Sequence, residues 1–199
     1  MIRVQTFLFA LVVAFALLAA GLVWYVATEL PEQQAPGPVS YATIGGPFVL
    51  TDQNGQPRSD RDFRGRFVLL YFGYSFCPDV CPTTLQDMAD AIAKLGPDAR
   101  RVAPVFITVD PERDTPAVLR KYVGAFGPHF VGLTGSLADV TRVAHAYRVY
   151  FAKHPMPGGG YSVDHSGTIY LLGPDGKLVT IYDANAGPGQ LAADLKSRL

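Results

Sequence analysis

Residues 67–82 read FVLLYFGYSFCPDVCP, and the reading of this stretch decides the fold. Phe67 to Phe72 is a continuous apolar run, the pattern of a strand covered on both faces. A short loop carrying Cys77 and Cys81 follows. Pro82 then opens a helix, because a proline in the first turn sacrifices no hydrogen bond. Leu85, Met88, Ala89, Ile92 and Leu95 keep helical spacing, and Gly96–Pro97 ends the element. The two cysteines therefore stand where a buried strand hands over to a helix.

The flanking segments extend this unit. Upstream, Phe48–Val49–Leu50 leads into Asp52–Gln53–Asn54–Gly55, and Asn-Gly is the strongest short signal for a hairpin turn. Downstream, Val102–Val109 is a second buried strand. Thr115–Pro116 reads as a cap and first-turn proline for a helix through Phe126. A short strand, Phe130–Leu133, precedes a helix from Ser136 with Asp139 in a capping box. Pro155–Gly160 is a glycine-rich loop. Thr168–Leu172 and Lys177–Tyr182 form a hairpin about Gly173–Pro174–Asp175–Gly176, and an amphipathic helix over 188–198 closes the chain. This order describes a mixed sheet flanked by helices: an α/β, thioredoxin-like three-layer sandwich with an N-terminal β-hairpin extension.

Ahead of this domain, no charge occurs from Phe7 to Ala27. A hydrocarbon core of about 30 Å needs roughly 20 helical residues, so the run is long enough to be one transmembrane helix. Trp24 and Tyr25 lie at its end, as interfacial aromatics do, and Arg3 before it places the N-terminus in the cytoplasm. A cleaved signal peptide is the competing reading; its apolar region is usually shorter, about 7–15 residues. Either way the domain is exported. The expected division is 1–29 as cytoplasmic stub and anchor, 30–46 as a Pro-, Gly- and Gln-rich linker, and 47–199 as the folded domain. The 199 residues carry 17 basic and 17 acidic side chains, and no basic run suggests a nucleic-acid partner.

The chain has 2 cysteines. In an exported domain they can pair only with each other or with something from outside. A helix start also favours thiolate. A structural disulfide would close so short a loop that it gains only roughly 2 kcal/mol. Redox exchange and metal binding are the functional readings. Three intervening residues, rather than the two of the familiar redox motif, bring the sulfurs onto one face if the loop is helix-like. A disulfide stays reachable, so spacing alone leaves the choice open.

The sequence offers 4 histidines. His129 and His145 read as ordinary residues, and His154 lies in the loop region with Met156. His165 is different: in a thioredoxin-like sheet the loop before the strand at 168–172 runs beside the cysteine loop. Cys77, Cys81 and His165 would give two soft sulfurs and an imidazole, a set suited to Cu(I) and able to accept Cu(II) with a further donor. A closed zinc site would require a fourth protein ligand.

Five segments carry a family resemblance: YFGYSFCPDVCPTTL (71–85), FITVDPERDTP (106–116), GLTGS (132–136), AHAYRVYF (144–151) and YSVDHSGTIYLLGPDG (161–176). Their combination and order resemble the Sco/SenC family of copper proteins. That resemblance implies metal ligation by Cys77, Cys81 and His165, with Asp110, Arg113 and Asp114 near the site; the plainer reading of these three is a turn with an Arg–carboxylate pair capping a helix. It further implies a metallochaperone that delivers copper to the dinuclear copper site of cytochrome c oxidase. Its partners would be the oxidase's copper-bearing subunit, and other copper chaperones or thioredoxin-like reductases. The rival within the resemblance is a thiol–disulfide reductase, with Cys77 and Cys81 as a redox-active pair keeping the oxidase's cysteines reduced; a sensor role lacks an output domain. Peroxiredoxin activity does not fit, because Gly73 stands where that motif has proline. With no Arg- and Ser-rich presequence before the anchor, the expected location is a bacterial inner membrane, with the domain in the periplasm.

Overall fold

The computed structural model describes Leu8 and residues 13–21, 24–25 and 44–199, and the chain divides into two units, 1–39 and 40–199. In the first unit, residues 13–21 are helical. The anchor read over Phe7–Ala27 lies partly outside the described residues, and among those described no helix is long and apolar enough to cross a membrane.

The second unit is organised by β3 (Phe67–Gly73), whose residues pair in parallel with β4 (Val102–Thr108) from Phe67 opposite Val102 to Gly73 opposite Thr108. Leu69, Leu70, Tyr71 and Phe72 are at most 1% exposed, so both faces of β3 are covered, as its unbroken apolar run requires. Each such side chain is worth about 1.5–3 kcal/mol relative to exposure. Outward from this pair lie β5 (Val131–Thr134), parallel to β4, and the hairpin β8 (Thr168–Leu172) and β9 (Leu178–Asp183), antiparallel to β3. The N-terminal hairpin β1 (Val49–Asp52) and β2 (Pro57–Ser59) completes a seven-stranded sheet in the order β2-β1-β5-β4-β3-β8-β9.

Helices cover both faces. On the Tyr71 side, α1 (Val80–Ala93) packs against the closing helix α4 (Pro188–Arg198), and α2 (Pro116–Gly124) lies on β5. On the other side, α3 (Leu137–Ala146) leads to Tyr147, which packs on Phe72 and Tyr170 and accepts the Tyr170 hydroxyl at its carbonyl. The caps read from sequence are present: Thr115 accepts from the Val118 N–H and Ser136 from the Asp139 N–H. The three-layer sandwich and its extra hairpin are thus observed.

Two local expectations are corrected. Helix α1 begins at Val80, two residues before Pro82, so Cys81 is inside its first turn. Pro82 is still tolerated, because the first four helical N–H groups lack partners anyway. Residues read as loop on either side of Pro155–Gly160 instead form a second, two-stranded sheet: β6 (Phe151–Pro155) pairs with β7 (Tyr161–His165), Phe151 opposite His165. The alternation that marks a strand is weak in FAKHP because this ribbon leaves the main sheet and little of β6 is buried.

The N-terminal turn depends on Asp52, 2% exposed, whose carboxylate accepts the N–H groups of Asn54 (2.8 Å) and Gln56 (2.9 Å) and the Arg58 guanidinium (3.2 Å). Burial pushes its pKa up, but the bonds from Gln56, Asn54 and Arg58 outweigh it and leave it below 3.8. A depressed folded pKa stabilises above the unfolded value and is lost as pH falls through the folded one. Asp52→Ala is therefore expected to cost about 1–2 kcal/mol near neutral pH. Below pH 3.8 the penalty should shrink, as read by urea denaturation at each pH.

Candidate metal centre

Three elements converge at the end of β3. The strand delivers Gly73 and the loop Tyr74–Asp79; α1 holds Cys81; and β7 brings His165 from across the ribbon. The donor atoms of Cys77, Cys81 and His165 all lie within 4.8 Å of one another, and among the described residues they are the one His/Cys/Asp/Glu group so disposed. Metal–ligand bonds of about 2.0–2.3 Å set donor atoms roughly 3.5–4 Å apart, a spacing this cluster can adopt with small shifts.

Both cysteines are free thiols. The Cys77 sulfur accepts the Cys81 N–H at 3.4 Å, taking one of the unpartnered donors at the helix start. Cys81 is 0% exposed, and its sulfur lies 3.2 Å from His165 Nε2. Here the expectation of a lowered thiol pKa at the helix start fails for Cys81: burial, with the neighbouring Cys77 adding to it, drives that pKa well up. A single helix end cannot offset the removal of a thiolate from water. Cys81 accordingly keeps its proton until a cation displaces it.

His165 is set up as a neutral ligand. A carbonyl oxygen can only accept, so Nδ1, 3.1 Å from the Ser166 carbonyl, carries the hydrogen. That leaves the Nε2 lone pair aimed at Cys81. Burial lowers the His165 pKa from 6.5, against the opposing pull of the Ser166 bond, so the ring is uncharged at neutral pH. Tyr71 and Tyr74 stand edge-on to it, each with ring centres 5.9 Å away.

The DPERDTP segment supplies no ligand and braces the site. Asp114, fully buried, accepts the Ser75 N–H (3.0 Å), the Ser75 hydroxyl and the Thr108 hydroxyl (2.6 Å). Burial pushes its carboxyl up, and the Ser75 and Thr108 bonds oppose that. Asp110 accepts from Arg113 and from the Tyr161 hydroxyl (2.8 Å), while Arg113 also donates to the Tyr161 carbonyl (2.9 Å). The Arg113 guanidinium lies 3.8 Å from the Tyr161 ring centre, 4.9 Å from Phe76 and 5.6 Å from Tyr74. The Arg–carboxylate pair read from sequence exists, and it ties the cysteine loop to the β6–β7 ribbon.

His129 and His145 are exposed and outside the cluster. His154 is also outside it, 3.1 Å from Asp164 on the ribbon. Tyr71, Tyr74, Ser75, Thr108 and Tyr161 surround or brace the ligands and were missed from sequence. A tyrosine within the apolar FVLLYF run was the one available hint, since a buried phenol calls for a polar neighbour.

Fold and site together define a thioredoxin-like domain with a cluster of three soft donors that could hold a metal ion. Residues 37–199 match the SCO1/SenC family model, and the chain belongs to that family. It is 41% identical over 194 residues to protein SCO2 homolog, mitochondrial, of Mus musculus, covering 92% of this chain and 76% of that protein. Across three curated relatives, the matched part spans 58–76% of the relative's length. Among solved structures, Bradyrhizobium japonicum ScoI with copper bound is 46% identical with a TM-score of 0.73, covering 78% of this chain and 99% of that one. A structure of BsSco, described as a member of the Sco family of cytochrome c oxidase assembly proteins with a disulfide switch, is 28% identical with a TM-score of 0.62, covering 83% and 97%.

Proposed function

We propose that this chain is a copper metallochaperone that binds one copper ion through Cys77, Cys81 and His165 and delivers it to the dinuclear copper site of cytochrome c oxidase. The observation that carries the reading is the clustering of two free thiols with a neutral imidazole whose Nε2 faces the buried sulfur. Thiolate and imidazole donors suit Cu(I), and a three-donor set leaves room for an incoming ligand to replace them one at a time. Cys77 is only half-buried and sits between the exposed Phe76 and Val80, so exchange begins at Cys77 while Cys81 and His165 hold the ion from inside. Copper bound by ScoI of Bradyrhizobium japonicum supports the choice of metal, and the oxidase-assembly role ascribed to BsSco supports the client.

We further propose residues 1–29 as a stub and single membrane anchor, 30–46 as linker and 47–199 as the working domain. The placement is a bacterial inner membrane with the domain in the periplasm, within reach of the oxidase's copper-bearing subunit. The uncharged run from Phe7 to Ala27 supports this.

The test is titration of the reduced full chain with Cu(I) against a competing chelator. One equivalent should bind tightly, and His165→Ala should weaken it by at least tenfold. No tight binding, or binding indifferent to His165→Ala, overturns the reading.

The second reading is a thiol–disulfide reductase that keeps the client's cysteines reduced. It is favoured by the free pair at the helix start and by the disulfide switch described for BsSco. A strongly reducing Cys77–Cys81 potential with rapid thiol exchange and weak copper binding would select it.

A further inference from the structure

Three buried side-chain polar atoms have no hydrogen-bond partner among the described residues: the Tyr71 hydroxyl, the Tyr122 hydroxyl and one terminal guanidinium nitrogen of Arg113. Buried polar groups are otherwise nearly always paired, so each orphan calls for a reason. Two features unite them. All three can donate a hydrogen, and all three lie around the site: Tyr71 is edge-on to His165, Tyr122 lines a hollow with Ser75 and Phe76 of the cysteine loop, and Arg113 stacks near the Tyr74 ring that abuts His165.

Tyr71 is the best placed. It is 0% exposed, its ring is edge-on to His165, and the polar groups beside its hydroxyl are the Cys81 sulfur and the Thr84 hydroxyl. Thr84 donates to the Val80 carbonyl at 2.9 Å, and its oxygen, though still able to accept, makes no hydrogen bond with the Tyr71 hydroxyl. Gly73 leaves the space between Tyr71 and Cys81 open: a Cβ there would lie 2.9 Å from the Cys81 sulfur and 3.2 Å from the Tyr71 ring.

We infer that Tyr71 is a positioning residue for the loaded site, its orphaned hydroxyl donating to the Cys81 sulfur when that sulfur holds the metal. This rests on the reading of Cys77, Cys81 and His165 as copper ligands. Two thiolates and one Cu(I) carry net negative charge, and an outward ring of donors, led by Tyr71, answers it. Hydrogen bonds at a ligating cysteine sulfur tune the potential of a copper site, and outer partners commonly shift metal affinity 10–100-fold. The more electron-rich Cu(I) form gains more from such a donor than Cu(II).

The test is Tyr71→Phe in the full chain, which removes one oxygen and keeps the ring. The apo variant should melt at the same temperature as the wild type or higher, since it loses an unsatisfied hydroxyl. Its Cu(I) affinity should fall about tenfold. Its Cu(II)/Cu(I) potential should fall too, by about 59 mV for each tenfold that Cu(I) loses beyond Cu(II). A purely structural tyrosine would lower the apo melting temperature and leave the potential unmoved, and that result overturns the inference. Equal affinity and potential in variant and wild type overturn it alone. Failure of the wild type to load copper removes the copper reading and this inference with it.

Discussion

Asp114→Ala is expected to lower the stability of the folded domain by about 3 kcal/mol and to weaken copper binding by about 10–100-fold. The carboxylate is fully buried and accepts from the Ser75 N–H, the Ser75 hydroxyl and the Thr108 hydroxyl. Its removal strands three donors in a closed space, and burying an unsatisfied polar group costs about 1–3 kcal/mol. The same bonds pin the first residue after Tyr74 to the end of β4, which fixes where the loop presents Cys77. Asp114→Asn keeps an acceptor and should lose less on both counts. Urea denaturation and Cu(I) competition measure the two effects. A full stability loss with unchanged copper affinity would show that the loop holds its shape without this tether.

Gly73→Ala is expected to cost about 2 kcal/mol and at least tenfold in copper affinity. The added Cβ would meet the Cys81 sulfur at 2.9 Å, Phe106 at 3.0 Å and Tyr71 at 3.2 Å. None of these can retreat freely. Phe106 and Tyr71 are fully buried in the sheet, and Cys81 is held in the first turn of α1. The Cys81 sulfur must therefore shift, and its 3.2 Å contact with His165 Nε2 is disturbed. The requirement for glycine here is one of space, since the steric neighbours come from three different elements. Unfolding midpoints and Cu(I) affinity of the variant read both effects together, and wild-type values for either would contradict this packing argument.

Much of this was written in local pattern. The apolar run Phe67–Phe72, the Asn54–Gly55 turn, the Thr115–Pro116 and Ser136 caps and the Gly173–Gly176 turn each act over a few residues, and each element appeared where its residues placed it. The β6–β7 ribbon did not declare itself, because FAKHP lacks alternation and its order comes from distant partners: Tyr161 is held by Asp110 and Arg113, and Val163 is buried. Burial likewise decided the protonation of Cys81 against the helix-start expectation. A local dipole is legible in sequence; the density of protein packed around a sulfur is not.

The sequence by itself determined that two cysteines stand at a strand-to-helix junction and that His165 precedes the strand returning beside it. Short-range geometry is enough for that, since residue spacing and turn chemistry set it. Only the tertiary structure decided that the sulfurs and Nε2 come within one ion's reach, that the imidazole is neutral with its lone pair inward, and that Asp114, Arg113 and Tyr71 brace the set. Those facts depend on contacts between residues far apart in the chain, and such contacts arise only when the layers close on a common core.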